Sequence, residues 1–443
     1  MDVDVLVVGA GPAGLTAAAE LRRLGVPRVL VADREAHPGG IPRHSFHTGY
    51  GLRDLHRVVS GPAYAQALTA AAARSGAELR TGCTVTELRV GGDALAAVLT
   101  SASGIEEVRP AAVLLATGCR ERPRPARLVP GDRPSGVLTT GELQQRVYLG
   151  GERLGGRALI VGAEHVSFSA MVTLAHAGAR VVALVTEHER HQSYAGFRLG
   201  AALRWGVPVW TSTAVTRVTG AGGRLASADV ADVTDATDVA GADGERARTV
   251  ACDWLVFTGD WIPDHVLARS AGLALDPGTR GPAVDTSLAA SAPGVFAAGN
   301  LIHAAETADV AALSGRHAAR QIDAFLARQA APASASASAS ASAPAAAAGP
   351  IPVVVEPPLR WISPNAIAAD SVPPPLGRFT LRAAEYRRLA RLETRQDGRL
   401  LARSRPLRLV PGRPLHLRAS WLARVDPGGG PVRVGVGQGA LPG

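Results

Sequence analysis

The chain has 443 residues, 47% of them hydrophobic, with 50 glycines and 31 prolines, a composition that suits an α/β protein with room for two or three full cores. All 47 basic residues are arginine, which excludes a lysine Schiff base and a lysine general base. The net charge of +9 is carried by residues 351–443, where fifteen Arg face six Asp plus Glu, so residues 1–350 are neutral as a whole. That basic region reads as a solvated arginine-rich surface and not as a nucleic-acid site, because it has few aromatics for stacking and no recognisable nucleic-acid motif. Cys83, Cys119 and Cys252 are far apart, with no C-x-x-C, which argues against a dithiol mechanism and against a cysteine-ligated iron–sulfur cluster. Three lone cysteines suit a reducing compartment, and a cytoplasmic location is expected. The N-terminal MDVDVLVVGAG has acids before its apolar run and does not read as a signal peptide. No stretch offers about 18 uninterrupted apolar residues, so no transmembrane segment is expected.

In chain order, Val3–Val8 is an apolar strand, Pro12–Leu24 a helix and Arg28–Ala32 a second strand, half of a doubly wound sheet. Ala111–Thr117 is a buried strand. A second strand–helix–strand unit follows at Arg157–Val161, Val166–Ala177 and Arg180–Val185. Trp254–Thr258 and Gly294–Ala298 are core strands, the latter before a helix around Ala308–Leu326. Residues 331–350, APASASASASASAPAAAAGP, hold nothing larger than alanine for a core and read as a disordered linker. Beyond them, short strand-like runs separated by turn signals predict a small β-rich domain without a chemical motif of its own.

GAGPAG, Gly9–Gly14, lies directly between the first strand and its helix. Gly9 permits the tight turn, Gly11 lets backbone approach a pyrophosphate, Gly14 allows close helix–strand packing, and the helix N-terminus favours the anion. Asp33 ends the second strand, where a carboxylate accepts hydrogen bonds from a ribose, with Arg34 beside it. The acid favours NAD or FAD over NADP.

Two later segments, Ala116-Thr117-Gly118 and PGVFAAGN (Pro293–Asn300), resemble those of flavoproteins with two dinucleotide-binding domains, of the pyridine nucleotide-disulfide oxidoreductase type. GGIPRHSFHTGYGL (Gly39–Leu52), ATGCRERP (Ala116–Pro123), PGDRPSGV (Pro130–Val137) and AAGNLIH (Ala297–His303) narrow it. They are similar to flavoproteins encoded beside glycerol-3-phosphate dehydrogenases and, more distantly, to the FAD subunits of opine and proline dehydrogenases. The resemblance implies an α/β fold of two Rossmann-like domains, the second inserted in the first. Residues 1–120 and 265–328 would bind FAD and 121–264 would form the second domain. The linker (329–350) and the β-rich domain (351–443) would follow. It implies that Gly9, Gly11, Gly14, Asp33, Arg34, Gly40, Val85 (through its backbone), Thr117, Gly118, Gly299 and Asn300 line FAD. The narrower family shows a cysteine where this chain has Ser45, so any redox role of that cysteine is lost here.

The second turn, Gly162 onward, departs from G-x-G-x-x-G: the second glycine is Glu164 and the third Ser167. A carboxylate facing a pyrophosphate at about 4 Å and an effective dielectric near 20 repels by roughly 4 kcal/mol, about three orders of magnitude in affinity. Glu187 occupies the ribose-acid position, and His188, Arg190 and His191 offer a 2′-phosphate contact or simply a polar loop, the reading preferred here. NAD(P) binding is expected to be weak or absent. EHERH is not H-E-x-x-H, and no metal site is expected.

A flavin carries the redox chemistry, and the protein positions it. By resemblance, His44, His47 and His303 lie near the ring as candidate proton acceptors, since histidine titrates near neutrality. Cys119 follows the Ala-Thr-Gly segment and reads as a small buried thiol. The favoured function is an FAD-dependent dehydrogenase or electron-transfer subunit. It would oxidise a small hydroxy or amino compound and pass electrons to a quinone or to a partner dehydrogenase or iron–sulfur subunit. The alternatives are an NAD(P)H-dependent flavin reductase and a non-catalytic FAD-bound docking subunit.

Overall fold

The computed structural model describes residues 2–91, 94–194, 206–233, 248–331, 349–437 and 441–442. Most of the expected linker, 332–348, lies outside the described residues. The principal elements begin with β1 (Asp2–Val8), α1 (Pro12–Leu24), β2 (Val29–Ala32), α2 (Gly61–Arg74), β3 (Glu78–Arg80), β4 (Cys83–Arg89), β5 (Ala96–Ser101) and β6 (Gly104–Leu115). Then come β7 (Val137–Thr139), β8 (Arg157–Val161), α3 (His165–His176), β9 (Arg180–Val185), β10 (Val209–Trp210) and β11 (Trp254–Phe257). β12 (Val295–Ala297) and α4 (Ala308–Ala330) precede the C-terminal strands, among them β13 (Leu359–Ser363), β14 (Arg378–Ala383) and β15 (Leu415–Arg418).

The chain forms two compact units. One comprises Met1–Arg43, Gly49–Cys119 and Pro263–Gly443; the other comprises His44–Thr48 and Arg120–Ile262. In the first, β3-β2-β1-β6 are parallel neighbours, and β12 also pairs with β6 in parallel. Val5, Leu6 and Val7 are fully buried, as a parallel strand covered on both faces must be. β6 starts well before the expected Ala111, because its N-terminal half pairs antiparallel with β5, in the register Ala97 opposite Val108 and Ser101 opposite Gly104. α1 is bounded as its sequence dictates: Pro12 opens it, and Gly25 closes it in the left-handed region at φ 99°, donating to the carbonyls of Arg22 and Leu21.

In the second unit, β7-β11-β8-β9-β10 form a parallel sheet. An antiparallel sheet of Thr213–Ala221, Arg224–Asp232 and Arg248–Ala251 accompanies it.

Residues 351–437 have their own apolar core, with Phe379, Leu381, Trp421, Val432 and Val434 almost completely buried. They nevertheless belong to the first unit. Asn365 N donates to Val284 O at 2.8 Å, Val284 N donates to Asn365 Oδ1 at 3.2 Å, and Ala368 N donates to Thr286 Oγ1 at 3.0 Å. The basic region is therefore pinned to the first nucleotide-type fold by one backbone–backbone bond and two backbone–side-chain bonds. Nor is all of its charge solvated: the Arg382 side chain is only 7% exposed.

Candidate functional site

The first turn has the three properties that a pyrophosphate cradle requires. Gly9 sits at φ 108°, and a Cβ there would lie 2.5 Å from the carbonyl oxygen of Ala116. A Cβ on Gly14 would lie 1.9 Å from Gly9 O, so only glycine lets α1 approach β1 this closely. A Cβ on Gly11 would meet nothing within 4 Å. Open space in front of Gly11, at the N-terminus of a 13-residue helix, is where an anion is favoured. A dinucleotide pyrophosphate fits these residues.

The surrounding residues are tied to this turn. Asp33 accepts from Ala10 N at 2.5 Å and from Glu35 N at 2.8 Å, which fixes its carboxylate at the end of β2. Gly40, at φ 61°, packs against Gly11, and Gly39 N donates to Ala10 O at 2.8 Å. Val85 lies in β4, opposite Leu99, and Cys83 N donates to Asp33 O. Thr117 Oγ1 donates to Asp264 O at 2.8 Å, and Arg34 pairs with the Asp264 carboxylate at 3.3 Å. A Cβ on Gly118 would meet nothing within 4 Å. Gly299 N donates to Ser314 Oγ at 2.8 Å. The Asn300 amide grips its own loop, accepting from Glu306 N at 2.8 Å and donating to Glu306 O at 3.2 Å.

The second turn is built differently. Gly162 keeps its turn conformation at φ 138°, but a Cβ there would lie 2.0 Å from Thr258 Oγ1, 2.7 Å from Glu164 Oε2 and 2.9 Å from Ser167 Oγ. The Glu164 carboxylate also lies 3.0 Å from where a Cβ on Gly259 would stand. Glu164 caps the N-terminus of α3 without a side-chain capping bond, and its Oε1 is buried with no hydrogen-bond partner among the described residues. Ser167, fully buried, hydrogen-bonds Thr258 Oγ1 at 2.7 Å, and Thr258 donates to Val161 O at 3.1 Å. Arg127 donates to the carbonyls of Thr258 and Gly259 and feels the charge of Glu164. The turn thus holds its own carboxylate. At the possible 2′-phosphate contact, burial holds His188 below the usual histidine range, and Arg190 pairs with Glu189 at 3.3 Å.

The three candidate histidines divide between the units. His44 and His47 belong to the second, where His44 is buried and His47 hydrogen-bonds Ser45 Oγ at 3.0 Å through Nε2 and Thr48 O at 2.8 Å through Nδ1. His303 belongs to the first. It stacks on Trp361 with ring centroids 5.3 Å apart, and burial, assisted by Arg382 and His416, pushes its pKa down to about 3. Burial against the C-terminal strands thus disfavours its charged form. Cys119 is partly exposed, not the buried thiol expected, and is in no disulfide, whereas Cys83 and Cys252 are buried, with the Cys252 pKa pushed up to about 11 by burial. No group of three or more His, Cys, Asp or Glu side chains among the described residues is arranged to hold a metal. No helix among them is long and apolar enough to cross a membrane.

Sequence reasoning missed a cluster built by the C-terminal strands. Arg382 pairs with Glu306 at 3.2 Å, both side chains nearly buried, and donates to Ala305 O at 2.9 Å. Arg53 pairs with Asp309 at 3.0 Å, and Thr307, which caps α4, donates to the same carboxylate. Only the local signal of β-strand alternation in RFTLRA could have placed Arg378 and Arg382 on one face. What that face meets depends on contacts far away in sequence. A second missed signal was legible: Thr258-Gly259 after β11 repeats Thr117-Gly118 after β6.

The profile of the pyridine nucleotide-disulphide oxidoreductase family matches residues 3–315. One of the opine oxidase subunits of Agrobacterium tumefaciens (strain Ach5) is 36% identical over 171 residues, covering 36% of this chain and 32% of that protein. The alpha subunit of sarcosine oxidase from Corynebacterium sp. (strain P-1) is 30% identical over 208 residues, covering 45% of this chain and 21% of that one. The matches thus span about a third or less of these relatives' own length. Thioredoxin reductase of Lactococcus lactis has the same fold, with a TM-score of 0.61 at 18% identity, over 74% of this chain and 99% of that one. With the profile covering most of the chain and the first turn shaped for a pyrophosphate, the chain belongs to the pyridine nucleotide-disulphide oxidoreductase family and is an FAD-dependent oxidoreductase.

Proposed function

We propose that the chain is the FAD-bearing dehydrogenase or electron-transfer subunit of an oxidase-type system, and that NAD(P)H is not its reductant. FAD would lie along Gly9, Gly11 and Gly14, with its ribose at Asp33 and its remaining length toward Thr117, Gly118, Gly299 and Asn300. When bound, the flavin supplies the two-electron chemistry. The chain's own residues would hold and orient the cofactor, and none of its cysteines is arranged as a dithiol.

The observation that carries this reading is the Glu164 carboxylate folded between Gly162 and Gly259. It fills the place where nicotinamide dinucleotide phosphates would bind and brings a like charge there. Electrons must then enter from a small hydroxy or amino compound or from a partner subunit. The names of the relatives support this, since opine oxidase and sarcosine oxidase act on amino compounds and both matches are to subunits. The narrower likeness to flavoproteins encoded beside glycerol-3-phosphate dehydrogenases is part of the same proposal.

The test is anaerobic mixing of the FAD-loaded protein with NADH and then with NADPH, watching the flavin band. Persistence of the band, with reduction by dithionite intact, is the expected result. Rapid bleaching by either nucleotide sinks the proposal and supports an NAD(P)H-dependent flavin reductase.

A further inference from the structure

β14 presents Arg378, Thr380 and Arg382 on one face, while Phe379 and Leu381 point into the C-terminal core. The neighbouring strands extend that polar face. Trp361 lies opposite Arg382, Ser363 opposite Thr380 on one side, and His416 opposite Thr380 on the other. The face packs on the segment His303–Asp309 of the first fold, through the Arg382–Glu306 pair and the His303–Trp361 stack.

The charges of this cluster do not balance. Glu306 is matched by Arg382 and Asp309 by Arg53. Arg378 is the third arginine. It is half-buried, its side chain makes no hydrogen bond or ion pair among the described residues, and it feels Glu306, Asp309 and Arg53. His416 is exposed, so the cluster opens to solvent there. Two buried polar atoms of the cluster, His303 Nδ1 and Ser363 Oγ, also lack a hydrogen-bond partner among the described residues. Buried polar groups are nearly always satisfied, and a shared absence of partners beside a surplus guanidinium marks a place for a ligand.

We propose that this cluster binds a small carboxylate monoanion, with the Arg378 guanidinium as its anchor. One surplus positive charge matches one negative charge. The planar fork of arginine fits a carboxylate in bidentate fashion. A phosphate dianion would face Glu306 and Asp309 with a charge left over. Resting on the proposed function, the carboxylate is that of the hydroxy or amino acid being oxidised.

The test separates binding from turnover. Acetate and propionate, which do not reduce a flavin, are titrated calorimetrically into the oxidised FAD-loaded full chain, beside acetamide, propionamide and inorganic phosphate. Both carboxylates are expected to bind at least about tenfold more tightly than their amides and than phosphate. Arg378→Gln is expected to weaken them by about tenfold or more with FAD content unchanged, while Arg388→Gln, an exposed strand arginine, leaves them unaltered. Equal affinity for acid and amide, preference for phosphate, no binding of either carboxylate, or an unaffected R378Q overturns the proposal. If carboxylates bind through Arg378 but no hydroxy or amino acid bleaches the flavin anaerobically, the anion site stands and the dehydrogenase reading falls.

Discussion

The two nucleotide-type turns share a backbone and differ in what stands before it. Both follow a buried parallel strand, both begin with a glycine at large positive φ, and both face a Thr-Gly pair at the end of a neighbouring strand. Before Gly11 and Gly118 there is open space; between Gly162 and Gly259 there is the carboxylate of Glu164. The same backbone thus stands open in one unit and is occupied by a side chain in the other. One residue type at the second glycine position accounts for most of the difference.

The strongest way to break this comparison is to give the first turn the second turn's residue. Gly11→Glu points a side chain into open space, so the apoprotein should fold. Like-charge repulsion of roughly 4 kcal/mol should then weaken FAD by about a thousandfold. Bound flavin after purification and a fluorescence titration of the apoprotein measure it. Retention of FAD at wild-type affinity shows that Gly11 does not face the pyrophosphate.

The converse change is Glu164→Gly. Removing the carboxylate clears the space before Gly162 and Gly259, and NADPH or NADH should bind about tenfold to a thousandfold more tightly, the upper figure being full relief of the repulsion. Ser167 keeps the gain below a fully glycine-built turn. Glu164 Oε1 is buried without a partner among the described residues, and glycine is tolerated at a helix N-cap, so stability should hold or rise. A lower melting temperature with no gain in nucleotide affinity sinks the view that Glu164 is a plug.

Acid should distinguish the units as well. His303 in the first unit has a folded pKa near 3 against about 6.5 when unfolded. Its neutral form is the one buried, so its contribution is complete above pH 6.5 and is lost as pH falls from there toward 3. Between about pH 6.5 and 4.5 the loss is about 2–3 kcal/mol. Urea unfolding of wild type and His303→Phe at both values measures it, the aromatic ring preserving the stack on Trp361. A phenylalanine variant with the wild-type slope overturns the assignment.

Much of this was legible in the sequence because it is local. GAGPAG, Asp33 and the strand–helix–strand spacing each act within a few dozen residues, and the departure at Glu164 is visible letter by letter. What was hidden is long-range. That the Glu164 carboxylate reaches Gly259 depends on β8 lying beside β11, nearly a hundred residues on. That Arg382 is buried against Glu306 depends on residues beyond the expected linker folding back onto the first unit. Composition made those arginines look like a solvated surface, since nothing in RFTLRA says that its polar face meets an acid.

The finest comparison lies in the two Thr-Gly pairs. Thr117 Oγ1 makes one bond among the described residues, to Asp264 O, at the edge of the open first turn. Thr258 Oγ1, buried in the filled turn, bonds both Val161 O and Ser167 Oγ. Thr117→Val removes one hydrogen bond and should cost about 1 kcal/mol. Thr258→Val also strands the fully buried Ser167 hydroxyl, so its cost should be about 1–3 kcal/mol. Ser167→Ala in the T258V background should then recover part of that loss, because it deletes the orphaned group, whereas S167A in the wild type should be destabilising. Denaturant midpoints of the four proteins form the cycle. Equal costs for the two threonine changes, or no recovery in the double variant, would mean that Ser167 and Thr258 do not act as a unit, and that the second turn is held shut by Glu164 alone.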